Sequence, residues 1–317
     1  ANALTGPEGE RDVKAVLAAT AKALSLSPEV LVSASTGVIG VPLPVHKIEA
    51  ALPALAKGLG SDPLPAAEAI LTTDTRVKMA ERRITLGGRE VRLFAICKGA
   101  GMIAPQLATM IAVICTDCAI SAELLQKADA VFALANGLAR NPRIEEEGED
   151  FRTFAESLAD LCRELARQIA RDGEGATKSV EIEVRGVADD ELALELARAI
   201  AGSSLVKAAL FGCDPSWGRI LSTVGARAAT LGAKLDPAAA TVSIQECVVY
   251  DRGLVPFDRD HVQTRLREPE CRVVVDLHQG EGASTAWGCD LTYEYVRINA
   301  DLPLVQTASG GIAKDER

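Results

Sequence analysis

The sequence predicts an α/β protein built in layers, and three observations carry that expectation. Helix-like and strand-like segments follow one another along the chain, the order that packs helices against sheet. Aromatic residues make up only 3% of the composition. Alanine, valine, leucine and isoleucine must therefore fill the core, which suits mixed helix and sheet layers better than an aromatic-rich β-sandwich. The 317 residues are also enough to bury a large core, as one big domain or two ordinary ones.

Taken in order, the first helix is expected over Arg11 to Leu24, where Val13, Val16, Leu17 and Leu24 share one apolar face. A strand is expected at Val30 to Ala34, running into STGVIG. Helices follow at Pro44 to Leu59 and at Ala66 to Leu71, the second leading into TTDT. Arg83 to Leu86 and Glu90 to Ile96 flank Gly87-Gly88 and read as a β-hairpin. KGAGMIAP is a loop punctuated by glycine and proline. From Thr109 the run TMIAVIC is almost continuously apolar, as expected of a strand buried on both faces. The acidic patch Glu145 to Asp150 reads as an exposed connection. The most regular helix runs from Phe151 to Ala170, with Phe154, Leu158, Leu161 and Leu165 at steps of three and four. It stops at the glycines of RDGEGATK. Val180, Ile182 and Val184 alternate with charged residues, the mark of a strand with one face in solvent. A helix at Asp190 to Ala201, a strand at Leu205 to Phe211 and a helix at Trp217 to Ala229 come next. Strands at Thr241 to Tyr250, Arg272 to Leu277 and Thr292 to Ile298 complete the reading.

A net charge of −10 argues against a nucleic-acid partner, because nothing would offset phosphate repulsion. No apolar run is long enough to span a bilayer, and the first residues do not read as a signal peptide. The eight cysteines are scattered and read as cytosolic thiols, so a cytoplasmic protein is expected. The CTDC pair Cys115 and Cys118 lacks a second pair of ligands and is weak evidence for zinc or redox work. His46, His261 and His278 lie outside every motif and read as surface or structural residues.

Thr109 is the candidate for chemistry. A threonine hydroxyl is a poor nucleophile until a base removes its proton, and a threonine at a chain N-terminus carries that base in its own α-amine. With a reference pKa of roughly 8, a useful fraction of that amine is neutral near pH 7. Thr109 begins a strand-like run and follows a loop ending in Leu107-Ala108, which could be cut. On spacing alone, an ordinary threonine at a strand start is the better explanation, since that placement is common.

KGAGMIAPQLATM, STGVIG, TTDT, RDGEGATK and DPSWGRI together resemble the ornithine acetyltransferase (glutamate N-acetyltransferase) family of arginine biosynthesis. The motifs occur in the family's order, and the match extends from ANALTG to YEYVRINAD. The resemblance implies a layered α/β sandwich of the self-cleaving threonine-nucleophile superfold, shared with related aminopeptidases. It implies self-cleavage between Ala108 and Thr109, giving an N-terminal alpha chain (1–108) and a C-terminal beta chain (109–317) that stay interwoven. Carried over residue by residue, Thr109 is the nucleophile, and Thr36 and Gly37 are the pair that stabilises the oxyanion. Such a donor is typically worth about 3 kcal/mol. Thr72, Lys98, Glu174 and Asn299, with Thr109, match positions that bind substrate. Without the resemblance, Thr36-Gly37 would read as a turn, Lys98 as a solvated loop lysine and Glu174 as a capping carboxylate. The implied reaction is ping-pong: acetyl passes from N2-acetylornithine to Thr109 and then to glutamate. No metal or organic cofactor is implied. The sequence leaves open whether acetyl-CoA is also a donor. The implied assembly is a heterotetramer of two alpha and two beta chains.

The pattern is not matched everywhere. The chain starts at Ala1 without methionine, and family segments before ANALTG and between Lys127 and Phe132 have no counterpart. This favours a partial chain over a divergent relative acting on another acylated amine, or a decayed or artificial version that folds without turnover. Leu304 stands where the family carries a threonine or serine hydroxyl, so that substrate contact does not carry over. Two other readings remain beside acetyl transfer. An amide hydrolase of the same superfold would use water as acceptor, and a non-catalytic subunit would keep the fold without cutting itself.

Overall fold

The computed structural model describes residues 2–100, 110–127 and 133–300. Ala108 and Thr109, the expected cleavage pair and nucleophile, and Leu304 lie outside the described residues. The chain begins with a helical pair, α1 (Gly6–Leu24) against α2 (Val45–Lys57). Pro7 and Glu8 open α1, where a fixed φ and a negative charge suit a helix N-terminus. The short helix α3 (Leu64–Ala69) leads into the first sheet. That sheet holds β1 (Lys78–Leu86), β2 (Arg89–Lys98), β3 (Ile111–Thr116) and β4 (Ala133–Ala135), in that spatial order. Helix α4 (Ala122–Lys127) links β3 to β4. The predicted hairpin is present, with Gly87 and Gly88 both at positive φ and full antiparallel register from Lys78–Cys97 to Leu86–Arg89.

Helix α5 (Glu149–Arg171) packs on β1 and β2 with one side. Phe154, Leu158, Leu161 and Leu165 are buried there with Leu86, Val91, Leu93 and Ala95. Glu149 and Asp150, read from the sequence as part of a connection, form the first turn of this helix instead. Carboxylates are favourable at that end of the dipole.

The second sheet has the order β7-β6-β8-β5-β9, from β5 (Ser179–Val187), β6 (Thr241–Ile244), β7 (Cys247–Asp251), β8 (Glu270–Asp276) and β9 (Gly282–Cys289). β5 is an interior strand, parallel to β8 and antiparallel to β9. Its inward residues Val180, Ile182 and Val184 are buried with Leu196 and Ile200 of α6 (Asp190–Gly202) and with Ile220 and Val224 of α8 (Trp217–Leu231). Between these helices lies α7 (Ser204–Phe211), and α9 (Arg259–Arg265) and α10 (Tyr293–Ala300) complete the chain as described. The result is an α/β sandwich of two sheets with helices layered on them.

Several expected elements differ. Val30–Ala34 is not a strand: Pro28–Val30 forms a 3-10 turn, and the residues after it find no partner strand. β3 is not buried on both faces, since β4 beside it is only three residues long and Cys115 is exposed. Leu205 to Phe211 is α7, a helix capped by Ser203, whose hydroxyl accepts from Val206 N–H at 3.4 Å. Thr241 to Tyr250 is two strands joined through Gln245 and Glu246, both at positive φ. Thr292 to Ile298 belongs to α10, where the Thr292 hydroxyl accepts from Tyr295 N–H at 3.1 Å. β9 was not anticipated.

Candidate active site

The residues singled out from the sequence fall into two contacting pairs and one loop. Lys98 ends β2 and is 3% exposed, not a solvated loop lysine. Its ammonium donates to the Thr72 hydroxyl at 3.3 Å. Glu174 follows α5 in the glycine-rich turn and accepts from the Asn299 amide at 2.8 Å, which reaches it from α10. The two pairs are linked by main chain, because Glu174 N–H donates to the Ala100 carbonyl at 2.6 Å, two residues beyond Lys98.

A cleft of about 310 Å³ is lined by Ala100, Met110, Ile169, Glu174, Trp287 and Tyr295, among others. It therefore brings Glu174 beside the residue that follows Thr109. Arg167 stacks its guanidinium over Trp287, 5.0 Å from the ring centroid. The Tyr295 phenol is held above its ordinary pKa, by burial first and then by Glu174 and Cys289.

Thr36 and Gly37 lie in an irregular loop, with Gly37 at φ 145°. The loop is tied to the start of the chain: Asn2 N–H donates to the Ser35 hydroxyl at 3.2 Å, and Gly40 N–H to the Ala3 carbonyl at 2.9 Å. Val32 and Ala34 just before it share a second groove of about 440 Å³ with Ile111, Ala112 and Val113 of β3. The segment leading into the loop thus lies near the start of β3, and Glu174 lies near Met110 just before it. Among the described residues no hydrogen bond joins Thr36 or Gly37 to the two pairs.

Beneath the pairs lies a charge cluster that sequence reading did not single out. Lys78 on β1 is 1% exposed and forms ion pairs with Asp74 at 2.7 Å and Asp172 at 2.5 Å. Asp74 also accepts from Gly99 N–H at 2.7 Å and Thr72 N–H at 3.2 Å. Asp172, two residues before Glu174, accepts from Thr75 N–H at 3.0 Å and from the Thr75 hydroxyl. Burial pushes the Asp74 carboxyl up. The hydrogen bonds from Lys78, Gly99 and Thr72 outweigh it, so the group lies below the usual carboxylate range. The Lys98 ammonium is also held below its ordinary pKa: burial pushes it down, Asp74 pulls it up and Lys78 pushes it down again. Asp74 and Asp172 sit inside TTDT and RDGEGATK, so the motifs held the signal. The contact of Asp172 with Lys78, 94 residues away, did not show in either motif.

The CTDC pair is a free exposed thiol at Cys115 and a buried one at Cys118, which burial pushes up to about 11. Among the described residues no group of three His, Cys, Asp or Glu side chains is placed to hold a metal, and no helix is long and apolar enough to cross a membrane. His278 is structural in part, its ring nitrogen 2.8 Å from the Thr241 hydroxyl.

The two-sheet sandwich, with a buried lysine and a carboxylate set around the entry to β3, defines the class as an α/β protein with a polar site of both charges. The chain belongs to the ArgJ family, whose model matches residues 1–128 and 127–303. It is 44% identical over 325 residues to the arginine biosynthesis bifunctional protein ArgJ of Symbiobacterium thermophilum, covering 94% of this chain and 79% of that protein. Identity to the protein of the same name from Thermus thermophilus is 42% over 322 residues, covering 95% and 80%. The fold is similar to a crystal structure of the arginine biosynthesis bifunctional protein argJ from Bacillus halodurans. That match has a TM-score of 0.54 and 36% identity, covering 59% of this chain and 96% of that chain.

Proposed function

We propose that this chain transfers an acetyl group from N2-acetylornithine to glutamate, a step of arginine biosynthesis, through an acetyl ester on Thr109. Membership of the ArgJ family supports the pathway. The single observation that carries the site is the main-chain link, Glu174 N–H to the Ala100 carbonyl, that sets the segment of the Glu174 carboxylate against the strand end carrying the buried Lys98 ammonium, near the chain entering β3. Together they suit a ligand that carries an α-carboxylate and an amine.

In this reading, cleavage between Ala108 and Thr109 frees the α-amine of Thr109, giving pieces 1–108 and 109–317. The Thr109 oxygen attacks the acetyl carbonyl, and its proton passes to the α-amine. The tetrahedral oxyanion is held by Thr36 and Gly37. As the C–N bond breaks, the α-amine returns a proton to the departing ornithine amine. The amine of glutamate then attacks the ester, and the Thr109 hydroxyl is regenerated. Thr72, Lys98, Glu174 and Asn299 hold the amino-acid portion of each substrate in turn. The proposed assembly is two copies of each piece, which light scattering combined with intact mass would check.

The test is an acetyl-transfer assay with N2-acetylornithine and glutamate, with acetyl-CoA as a separate donor and acetate release as the measure of hydrolysis. Intact mass is read on the same sample. Two pieces and glutamate-dependent transfer are expected, abolished together by Thr109→Ala and partly kept by Thr109→Ser. An active preparation made only of uncut chain would sink the mechanism, and acetate release without transfer would replace it with hydrolysis.

A further inference from the structure

Among the described residues, no hydrogen bond or ion pair joins the Asp74–Lys78–Asp172 cluster to Thr36 or Gly37, yet the cluster grips the substrate residues from below. Asp74 holds both sides of Lys98. It accepts from the N–H of Gly99, the next residue in the chain, and from the N–H of Thr72, whose hydroxyl accepts from the Lys98 ammonium. Lys78 then couples Asp74 to Asp172, two residues before Glu174. The circuit closes where Glu174 N–H meets the Ala100 carbonyl.

Its charges are unequal. Asp74 and Asp172 bring two carboxylates, with side chains 0% and 4% exposed, against one ammonium on Lys78 at 1%. Uncompensated charge at such depth is strongly unfavourable, and Lys98 is the buried cation beside it.

We propose that Asp74 is a positioning residue for substrate recognition: its two main-chain hydrogen bonds and the cluster's extra negative charge fix Lys98 in place and keep it an ammonium able to receive a substrate carboxylate. This rests on the substrate role given to Lys98 above. Among the described residues, the charged groups acting on Lys98 are Asp74, which favours its ammonium, and Lys78, which opposes it along with burial. A purely structural Asp74 would stabilise the fold without changing the proton affinity of Lys98.

The experiment starts with Asp74→Asn, which keeps an oxygen for Gly99 N–H but removes the charge. Carbon-13 NMR of the lysine ε-carbons, with the Lys98 signal assigned by Lys98→Arg, gives the pH at which Lys98 loses its proton. This needs no turnover. The midpoint is expected to fall by about one pH unit or more in Asp74→Asn, and to stay near the native value in Asp74→Glu, which keeps the charge. An unchanged midpoint in Asp74→Asn overturns the proposal. In the transfer assay Asp74→Asn is expected to lower kcat/KM about tenfold, mainly through KM. In a Lys98→Gln background the same change is expected to add less than about twofold. Losses that multiply fully would show that Asp74 does not act through Lys98. If Asp74→Asn does not fold, Asp74→Glu decides, because it must raise KM while holding the midpoint, and a native KM overturns the proposal. A native protein with no transfer activity would remove the functional reading, and the NMR midpoint would still judge Asp74.

Discussion

Gly175 shows how closely single residues constrain this site. It lies at φ 64°, and a Cβ there would meet Glu294 side-chain carbons and the Tyr295 N–H nitrogen, all at 2.8 Å. α10 therefore sits directly on the turn that carries Glu174, and the Thr292 hydroxyl donates to the Gly175 carbonyl at 2.7 Å. Gly175→Ala is expected to destabilise the protein by about 1–3 kcal/mol, from a disfavoured φ and a clash that backbone cannot relieve. It should also raise KM, because α10 carries Asn299 away from Glu174. Urea melts and substrate kinetics measure the two effects, and a native KM in a destabilised variant would detach Asn299 from binding. Asp74 predicts a pH dependence with a defined sign. Its folded pKa lies below the unfolded value of roughly 3.9. Its contribution to stability is thus present above that value and lost as the pH falls through the folded pKa. Urea melts should show less acid sensitivity below about pH 4 in Asp74→Asn than in the native chain. Equal acid slopes would argue that the carboxylate is not held by Lys78 in solution.

At the scale of elements, α5 joins the two halves of the argument. Its buried side packs on β1 and β2, its C-terminal residues line the cleft, and Asp172 and Glu174 follow directly. Leu161 is 0% exposed in that layer. Leu161→Ala is expected to cost about 2–5 kcal/mol in urea unfolding, and a loss well under 1 kcal/mol would mean the layer is not packed as described. α5 was legible in the sequence because five turns of apolar spacing leave no strand alternative, and the β1–β2 hairpin because its glycines mark the turn. α7 and α10 were not. Each is an eight-residue run: α7 is a short apolar run and α10 is rich in β-branched and aromatic residues, and a run this short fits either period. Their capping residues, Ser203 and Thr292, were the missed signal. The hairpin at Gln245-Glu246 was missed because left-handed turns usually announce themselves with glycine or asparagine. At the site, the residue types around Lys98 and Glu174 were legible only through ordered motifs. The cluster beneath them is made by contacts between distant segments, which local patterning does not encode.

At the scale of the whole molecule, the proposed cut falls inside a sheet rather than between domains. β1 and β2 precede it and β3 follows it, yet β2 and β3 pair antiparallel from Leu93–Thr116 to Lys98–Ile111. The core around the first sheet likewise mixes Leu86, Val91 and Leu93 from before the cut with Ile114, Phe154 and Leu161 from after it. The other core draws only on residues from Val180 onward. α1 buries little beyond Gly9 and Ala21, and α2 has no buried residue. Among the described residues, piece 1–108 therefore has no core of its own, while piece 109–317 carries one intact sheet with its helices. Cleavage would leave the pieces held by a shared ladder and a shared apolar layer, neither of which one backbone bond maintains. The two pieces are expected to copurify after cutting and to separate only in denaturant. Expressed alone, 109–317 should show protected amides in β5, β8 and β9 by hydrogen exchange and little protection in β3, whereas 1–108 should remain unfolded. Mixing the separately made pieces should restore protection in β3, because its partner β2 lies on the other piece. A stable, protected 1–108 on its own would contradict the division of the core and require more packing of α1 and α2 on the hairpin than the described residues show.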